Sequence, residues 1–379
     1  MDLRLEIGTA LASIDPGEWD ALVGPDDPFV EHAFLYGLER SKSVGEGTGW
    51  LPIHVTAREG SRLVGALPLY AKGDSWGEFI FDFAWAHAAR RAGIAYYPKL
   101  VSMVPFTPAT GRRLLVAGDV DRDAVRRALV RGALAATEET KASSLHLLFL
   151  TPEERDLAMQ EGLRARLSIQ FHWDDDGFQS FDDYLARFRA DKRKQVKKER
   201  RRALEGGLEI RVKEGPELDA HEWSEMSRLY RDNCRRHGSY AYLTPAFFDE
   251  LRAHHAHRVV ALFAYREGRV VAVSLCFQKG AHLYGRDWGA DEAHEMLHFE
   301  LCYYRPIERA IAQKLRHFEA GAQGAHKLKR GLMPARVHSA HHLRDPRLRE
   351  AVFAHLPLEA HEVEAELAYL AEHGPFHRG

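Results

Sequence analysis

The chain repeats itself, and this repeat restricts the possible folds more than any other feature. The segment "REGSRLVGALPLYAKG" at residues 58–73 matches "REGRVVAVSLCFQKG" at residues 266–280, apolar position against apolar position, up to the same Lys-Gly ending. Each segment predicts two strands joined by a tight turn at Glu-Gly. A chain that contains the same hairpin twice is expected to contain the same folding unit twice.

Helical patterns precede and follow both hairpins in the same order. Upstream of each hairpin there are two segments with helical spacing, and Asp15-Pro16 and Thr244-Pro245 supply the expected helix starts. Downstream, a helical pattern leads in both cases into a short apolar strand, at 145–150 and at 316–320. The pattern predicts an α+β fold made by tandem duplication, each half a mixed, mostly antiparallel sheet flanked by helices.

The length of 379 residues fits about two domains. We expect an N-terminal domain at 1–175, a basic connecting helix at 176–207, a C-terminal domain at 208–345 and a helical tail at 346–379. The composition is 45% hydrophobic and 28% charged, and no apolar run approaches the roughly 20 residues of a membrane helix. The N-terminus lacks the pattern of a signal peptide, so a cytoplasmic protein without a membrane span is expected.

A basic run, "KRKQVKKERRR" at residues 192–202, carries eight cations and one anion. A helix that is basic nearly all round is either a solvated face or a binding surface for a polyanion such as tRNA. The candidate polyanion-binding residues are Lys192, Arg193, Lys194, Lys197, Lys198, Arg200 and Arg201.

Two segments of the second half combine glycines with chemically active side chains. They are "YGRDWGA" at 284–290 and "FEAGAQGAHKLKRG" at 318–331, and each follows or ends a predicted strand. Carboxylates and imidazoles placed there can move protons, although salt-bridged strand ends would look the same. The candidate catalytic residues are Asp287, Glu319 and His326, and the candidate substrate-binding residues are Tyr284, Arg286, Trp288, Gln323, Lys327 and Arg330.

The first half contributes one loop-like segment, "YYPKLVSMVPFTPATGRRLL" at residues 96–115. Loops that are both aromatic and basic often bind ligands, and a packed structural loop is the alternative. The further candidate substrate-binding residues are Tyr97, Lys99, Phe106, Arg112 and Arg113.

"HEMLH" at 294–298 has the form H-E-x-x-H, which on a helix would make His294 and His298 zinc ligands and Glu295 a general base. Its flanks are rich in glycine and acids, which places the motif across a helix start. No metal site is predicted, and the three scattered cysteines support neither a disulfide framework nor a zinc ribbon.

Together, the 96–115 loop, the basic run, "YGRDWGA", "LHFELCYY" and "FEAGAQGAHKLKRGLMP" resemble the FemAB-like predicted N-acyltransferases of bacteria. The resemblance covers roughly residues 29–345 and implies a tandem pair of GNAT-like acyltransferase domains. Fem ligases transfer an amino acid from aminoacyl-tRNA to the amine of a peptidoglycan precursor. One position departs from the family pattern, because Ala325 stands where an acidic residue is expected.

The resemblance implies acyl transfer to a small-molecule amine. It implies no tightly bound cofactor, with an aminoacyl-tRNA or an acyl-CoA as co-substrate. The chain has no Gln/Arg-x-x-Gly-x-Gly loop of the kind that holds the pyrophosphate of acetyl-CoA, which favours a tRNA or another acyl donor over acetyl-CoA. Two alternatives remain open: a zinc hydrolase that uses "HEMLH", and a non-catalytic binding module on the same fold.

Overall fold

The structure, a computed structural model, describes residues 2–322 and 324–377. Helices and strands alternate along the chain, as the repeat predicts. The strands are β1 (Leu3–Gly8), β2 (Trp50–Pro52), β3 (His54–Glu59), β4 (Arg62–Leu67), β5 (Tyr70–Lys72), β6 (Lys99–Ser102), β7 (Leu115–Val116), β8 (Ser144–Leu150), β9 (Arg164–Asp174), β10 (Glu209–Glu214), β11 (Val259–Arg266), β12 (Arg269–Lys279), β13 (His282–Ala290), β14 (His317–Glu319) and β15 (Met333–Leu343).

Helices begin at Pro16 and Pro245 as predicted, and the Asp15 side chain accepts a hydrogen bond from the Glu18 N–H. Short 3₁₀ turns lie at Leu11–Ser13, Gly215–Glu217, Ala256–Arg258 and Ala325–Arg330, and π turns at Leu251–His255 and Glu300–Tyr304. The α-helices are α1 (Pro16–Asp20), α2 (His32–Arg40), α3 (Phe83–Arg91), α4 (Arg122–Glu139), α5 (Pro152–Gln160), α6 (Phe181–Ala186), α7 (Ala190–Ala203), α8 (Ala220–Arg236), α9 (Pro245–Glu250), α10 (Leu297–Phe299), α11 (Arg305–Ala312) and α12 (Pro346–Glu372).

The two hairpins of the repeat are present. β3 pairs with β4, and β11 pairs with β12, both antiparallel. The turns contain Gly60 at φ +60° and Gly268 at φ +79°. These backbone angles lie in the left-handed region that glycine adopts without a steric penalty. The Glu-Gly turns of the sequence repeat are therefore the turns of the two hairpins.

The chain divides into two units, and unit 1 comprises residues 1–169 and 336–366. It contains one sheet in the order β1-β3-β4-β7 and a second set of strands in the order β2-β5-β6-β8-β15. Its core lies where α4 covers β3, β4 and β8, and a smaller apolar cluster joins α3 to β15 and the first half of α12.

Unit 2 comprises residues 170–335 and 367–379. Its strands follow the order β10-β11-β12-β13-β14-β9, in which β9 contributes its last residues. The apolar core lies under α6, α10 and α11 on one face. On the other face α8 lies close to the sheet, because a Cβ at Gly289 would stand 2.3 Å from the Leu229 carbonyl oxygen.

The two units share one strand order, which confirms the duplication. In unit 1, β4 leads through Pro68 and Leu69 into β5, which pairs with β6. β6 then pairs in parallel with β8, and β8 pairs antiparallel with β15. In unit 2, β12, β13, β14 and β9 follow in the same relative directions. In each unit most of the described strand pairs are antiparallel and one is parallel, formed by corresponding strands.

The connecting segment is not the single basic helix at 176–207 that the sequence predicts. α6 ends at Ala186, the chain turns, and α7 begins at Ala190. The turn lets Phe188 bury its ring in unit 2, where its relative exposure is 0%. Across the described residues, no helix combines the length and the apolar character needed to cross a bilayer.

Candidate functional site

The candidate site is an opening in the sheet of unit 2. The parallel pairing of β13 with β14 ends at Tyr284 and Glu319, although β13 continues to Ala290. Inner strands are normally covered on both sides. Here, however, Gly285, Arg286 and Asp287 are only half-buried in the middle of the sheet. The early end of β14 therefore gives solvent access to the centre of β13.

A β-bulge in β13 sets the direction of the side chains at the opening. Gly285 lies opposite Cys276 of β12, and Asp287 lies opposite Leu275, so Arg286 is the extra residue of the bulge. Bulges are frequent beside active sites because they redirect one side chain. The sequence pattern alone does not show this extra residue.

Asp287 and Glu319 lie on the same face of the sheet. Tyr284 lies opposite Phe277 of β12, two residues from Leu275, the partner of Asp287. Residues two apart on a strand share a face, so Phe277 and Leu275 do. Their partners on β13, Tyr284 and Asp287, therefore lie on that face as well. Glu319 is the β14 partner of Tyr284 and has the same orientation.

Asp287 is the candidate proton acceptor of this face. Burial raises the pKa of its carboxyl group above the ordinary value, and the Arg286 guanidinium opposes that shift. Arg286 is also close enough to Glu319 and to Tyr230 of α8 for both to affect its own pKa, which burial lowers. A carboxylate with a raised pKa beside a guanidinium is suited to general-base work.

Lys327 lies close to Glu319, the last residue of β14. Its side chain is buried, with 2% relative exposure, and its Nζ donates a hydrogen bond of 2.6 Å to the Gly321 carbonyl oxygen. Burial lowers the pKa of Lys327 to about 8, and the neighbouring Cys302 and Glu319 oppose that shift. The ammonium group is therefore near Glu319 and near the π turn that carries Cys302.

His326 lies on the opposite face from Asp287 and Glu319. Its side chain is exposed, and its Nε2 is 2.9 Å from the Tyr303 hydroxyl. Burial lowers the pKa of His326, with Arg330 and Lys327 adding to the effect. Trp288 alternates with Asp287 along β13, and its ring centroid is 5.3 Å from that of His298. The His298 ring in turn contacts the ring of His326. Gln323 lies outside the described residues.

Arg330 has a structural contact rather than an open side chain. Its guanidinium is 5% exposed and forms two hydrogen bonds with the Glu199 carboxylate, at 3.0 and 3.1 Å. It also donates to the His326 carbonyl oxygen and lies 3.3 Å above the Phe299 ring. This corrects the expectation that Arg330 is open to substrate, because the tertiary structure uses it to hold the 3₁₀ turn against α7.

The same correction applies to three candidates of unit 1. Lys99, Phe106 and Arg113 have relative exposures of 0%, 4% and 1%. Lys99 is paired with Glu78 and Asp82, so it neutralises buried carboxylates. The remaining two candidates of that loop, Tyr97 and Arg112, are half-buried, and Tyr97 also lines a surface pocket of about 660 Å³.

The "HEMLH" segment is not one helical face. Met296 has φ +63°, and α10 begins only at Leu297. His294 lies near Asp291 and Glu292, whereas the His298 ring contacts Trp288. Within the described residues, His294 and His298 do not belong to one group of possible metal ligands.

The basic run divides into two faces on α7. Val196, Glu199 and Ala203 are buried. Arg200 forms ion pairs with Glu300 and Glu308, both at 2.9 Å, which corrects the expectation that it is solvated. Lys192 pairs with Asp191 at 3.2 Å, and Arg193 is half-buried. The exposed stripe consists of Lys194, Lys197, Lys198 and Arg201, spaced i, i+3, i+4 and i+7.

Sequence reasoning missed a polar cluster beside Glu319. His317 places Nε2 3.3 Å from the Glu319 carboxylate and Nδ1 2.6 Å from that of Asp174. His172 Nε2 is 3.9 Å from Glu319. Burial opposes protonation of His317, but the two carboxylates raise its pKa to about 9. The available signal was the alternation His-x-Asp at 172–174 and His-x-Glu at 317–319.

Solved structures with this fold were found at low sequence identity. The chain is similar to FemX, with 12% identity, a TM-score of 0.55, and coverage of 93% of this chain and 100% of that one. It is similar to L-PGS from Bacillus licheniformis, with 10% identity, a TM-score of 0.52, and coverage of 92% and 97%. A tandem GNAT protein from the clavulanic acid biosynthesis pathway matches with 14% identity, a TM-score of 0.47, and coverage of 91% and 99%.

The chain therefore shares its fold, two α+β units in tandem, with FemX and L-PGS. No curated protein matches the chain in sequence. The model of the FemAB-like family, described as peptidoglycan biosynthesis/recognition, matches residues 10–378, which is nearly the whole chain. The chain that carries this opening between two parallel strands therefore belongs to the FemAB-like family.

Proposed function

We propose that the protein is an N-acyltransferase that moves an acyl or aminoacyl group to an amine at the opening between β13 and β14. One observation carries this proposal. The parallel pair separates after Tyr284 and Glu319, the half-buried Asp287 lies beyond the last pair on β13, and the buried Lys327 is close enough to Glu319 for the carboxylate to affect its pKa. Such an opening can hold an extended acyl donor beside a base and a cation.

The chemistry requires one proton acceptor and one group that stabilises negative charge. The amine attacks the carbonyl carbon of an activated ester or thioester, so that a C–N bond forms while the C–O or C–S bond breaks. Asp287 accepts the proton that the amine loses, and the leaving oxygen or sulfur takes up a proton. Lys327 and Arg286 offer positive charge to the developing oxyanion, which is a large contribution in a partly desolvated site.

An aminoacyl-tRNA is the donor that the charges favour. The stripe of Lys194, Lys197, Lys198 and Arg201 presents four exposed cations on one face of α7. An extended row of cations suits a long phosphate backbone better than a single pyrophosphate. The family description points to a peptidoglycan-related acceptor, and a free amine on a precursor peptide is the class that the proposed reaction needs.

Transfer from radiolabelled aminoacyl-tRNAs to a peptidoglycan precursor peptide tests the proposal. We expect Asp287→Asn and Lys327→Met each to lower kcat by roughly 10²- to 10³-fold, as removal of one charge-stabilising group does in other enzymes. His294→Ala is the control and should keep full activity, because His294 lies outside the opening.

The pH profile adds a second test. The pKa of Lys327, about 8, predicts that kcat falls above pH 8, as the ammonium loses its proton. An ordinary lysine would stay charged to about pH 10. Asp287 must be ionised to act as a base, so its raised pKa predicts an acid limb above the usual range of aspartate. Turnover that is unaffected in both variants would favour a binding module, and turnover lost only in His294→Ala would favour the zinc hydrolase.

A further inference from the structure

Two short sequence patterns meet on one face of unit 2. β9 carries His172 and Asp174, and β14 carries His317 and Glu319. The antiparallel register sets His172 opposite Glu319 and His317 opposite Asp174. Residues at i and i+2 of a strand share a face, so all four side chains leave the sheet on the same side. Each imidazole thus has a carboxylate across the strand pair and another along its own strand.

The distances fit a metal centre. Glu319 is 3.3 Å from His317 Nε2 and 3.9 Å from His172 Nε2, and one ligand atom from each residue lies within 4.8 Å of the others. Tetrahedral zinc with bonds of about 2.0–2.1 Å separates its ligand atoms by about 3.4 Å. Small side-chain movements would bring the three ligands to these positions.

Neighbouring groups already hold the two imidazoles in suitable orientations. The Asp174 carboxylate is 2.6 Å from His317 Nδ1, which directs the Nε2 of that ring toward Glu319. A carboxylate behind a metal-binding histidine is the usual arrangement in zinc proteins. The Gln170 Oε1 atom lies 3.0 Å from His172 Nε2, within hydrogen-bond distance, so it is close enough to serve as a further ligand after a small movement.

The site is shielded but can be reached. His172 and Glu319 are buried, at 6% and 4% relative exposure, whereas the side chain of His317 is 18% exposed. Burial excludes most competing water from the carboxylate. The exposed Asp174 marks the side from which an ion can enter.

We propose that His172, His317 and Glu319 bind one zinc-class divalent cation, with Gln170 or water as the fourth ligand and Asp174 hydrogen-bonded behind His317. This centre is separate from the "HEMLH" segment and does not rest on the proposed acyl transfer.

The experiment measures zinc binding to the full-length protein after removal of metals with a chelator. Isothermal titration should give one equivalent of Zn²⁺, and Co²⁺ should give the visible absorption bands of a four-coordinate site. We expect His317→Ala to weaken zinc affinity at least 100-fold. Asp174→Asn should weaken it by about 10- to 100-fold, which is the usual effect of removing a group behind a ligand.

Two histidine variants serve as matched controls. The His282 ring is 5.2 Å from that of His317 but is outside the ligand set, and His294 belongs to the "HEMLH" segment. His282→Ala and His294→Ala should leave zinc affinity within about threefold of wild type. Circular dichroism of each variant establishes that the fold is kept.

Three outcomes would overturn the proposal. They are binding well below one equivalent, equal affinity in wild type and a folded His317→Ala variant, and loss of binding in His294→Ala alone. The Asp174→Asn variant provides a further check if His317→Ala fails to fold, because Asp174 is exposed and its substitution keeps the side-chain shape.

Discussion

Arg330 shows how burial decides the role of a charged residue. Its sequence context, a basic segment rich in glycine, predicts a ligand-binding cation. In the structure its guanidinium is bidentate to Glu199, and the Tyr304 hydroxyl donates to the same carboxylate at 2.5 Å. The pair fixes the 3₁₀ turn that also carries Lys327. Arg330 therefore holds this turn in place and does not present an open cation.

We expect Arg330→Met to destabilise the protein by about 3–5 kcal/mol, because it leaves the Glu199 carboxylate buried without its cation. The measurement is the free energy of unfolding in urea. The double variant Arg330→Met with Glu199→Met should recover much of the loss, because it removes the unpaired charge as well.

The control for this prediction is Arg336→Met. Arg336 also makes a two-bond ion pair, with Glu364, but both side chains are largely exposed, at 57% and 44%. Exposed pairs contribute little to stability. If Arg330→Met and Arg336→Met lower the free energy of unfolding equally, the buried pair contributes no more to stability than the exposed pair.

At the scale of elements, α7 divides one charged run into a packed face and an exposed face. The 3.6-residue period turns Glu199 and Arg200 toward the protein and leaves the stripe facing solvent. Arg200 is held by Glu300 of the π turn, which is fully buried. The run is thus neither wholly solvated nor wholly a binding surface. Only the stripe is available to a polyanion.

We expect charge reversal of the stripe, Lys194, Lys197, Lys198 and Arg201 to Glu, to weaken tRNA binding and leave the fold intact. The salt dependence should fall as well, because each lost phosphate contact removes roughly 0.7–0.9 from the slope of log K against log salt. A salt titration of tRNA binding measures both quantities.

The matched control reverses four exposed cations of unit 1: Arg90, Arg91, Arg164 and Arg347. This variant makes the same change in net charge at other places, so it should reduce tRNA affinity and its salt dependence much less. If the two variants bind alike, total charge matters and the stripe does not. If the stripe variant keeps wild-type affinity and slope, tRNA should be abandoned as the donor carrier.

At the scale of the molecule, a late chain segment completes the first unit. Residues 338–343 of β15 pair with β8, and Ala340 belongs to the core of unit 1. Leu343, Leu348 and Val352 pack into the smaller cluster around Trp85. The core of unit 1 is therefore assembled from segments that are far apart in the sequence.

We expect residues 1–175 alone to lack a cooperative unfolding transition, because the fragment has neither β15 nor α12. A chimera that joins residues 1–169 to 336–366 by a flexible Gly/Ser linker contains every segment of the unit. It should unfold cooperatively on heating. Calorimetry of both chains makes the comparison, and a cooperative transition in the 1–175 fragment would refute the expectation.

Local patterns in the sequence determined the repeated fold. Hairpin turns, helix caps and apolar periodicity involve neighbouring residues, so the duplicated α+β unit could be predicted from them. The same patterns indicated where chemistry could occur, and Asp287 and Glu319 lie on the same face of the sheet. Local rules succeed here because they describe interactions within a few residues.

Only the tertiary structure decided which candidates are open, paired or brought together. Lys99, Arg113, Arg200 and Arg330 look like ligand-binding cations in the sequence, but burial beside carboxylates ties them to the protein. The bulge at Arg286 and the early end of β14 depend on pairing with other strands, and so does the placement of His172 opposite Glu319. These features arise from contacts between residues tens to more than a hundred positions apart, and spacing along one segment does not record such contacts.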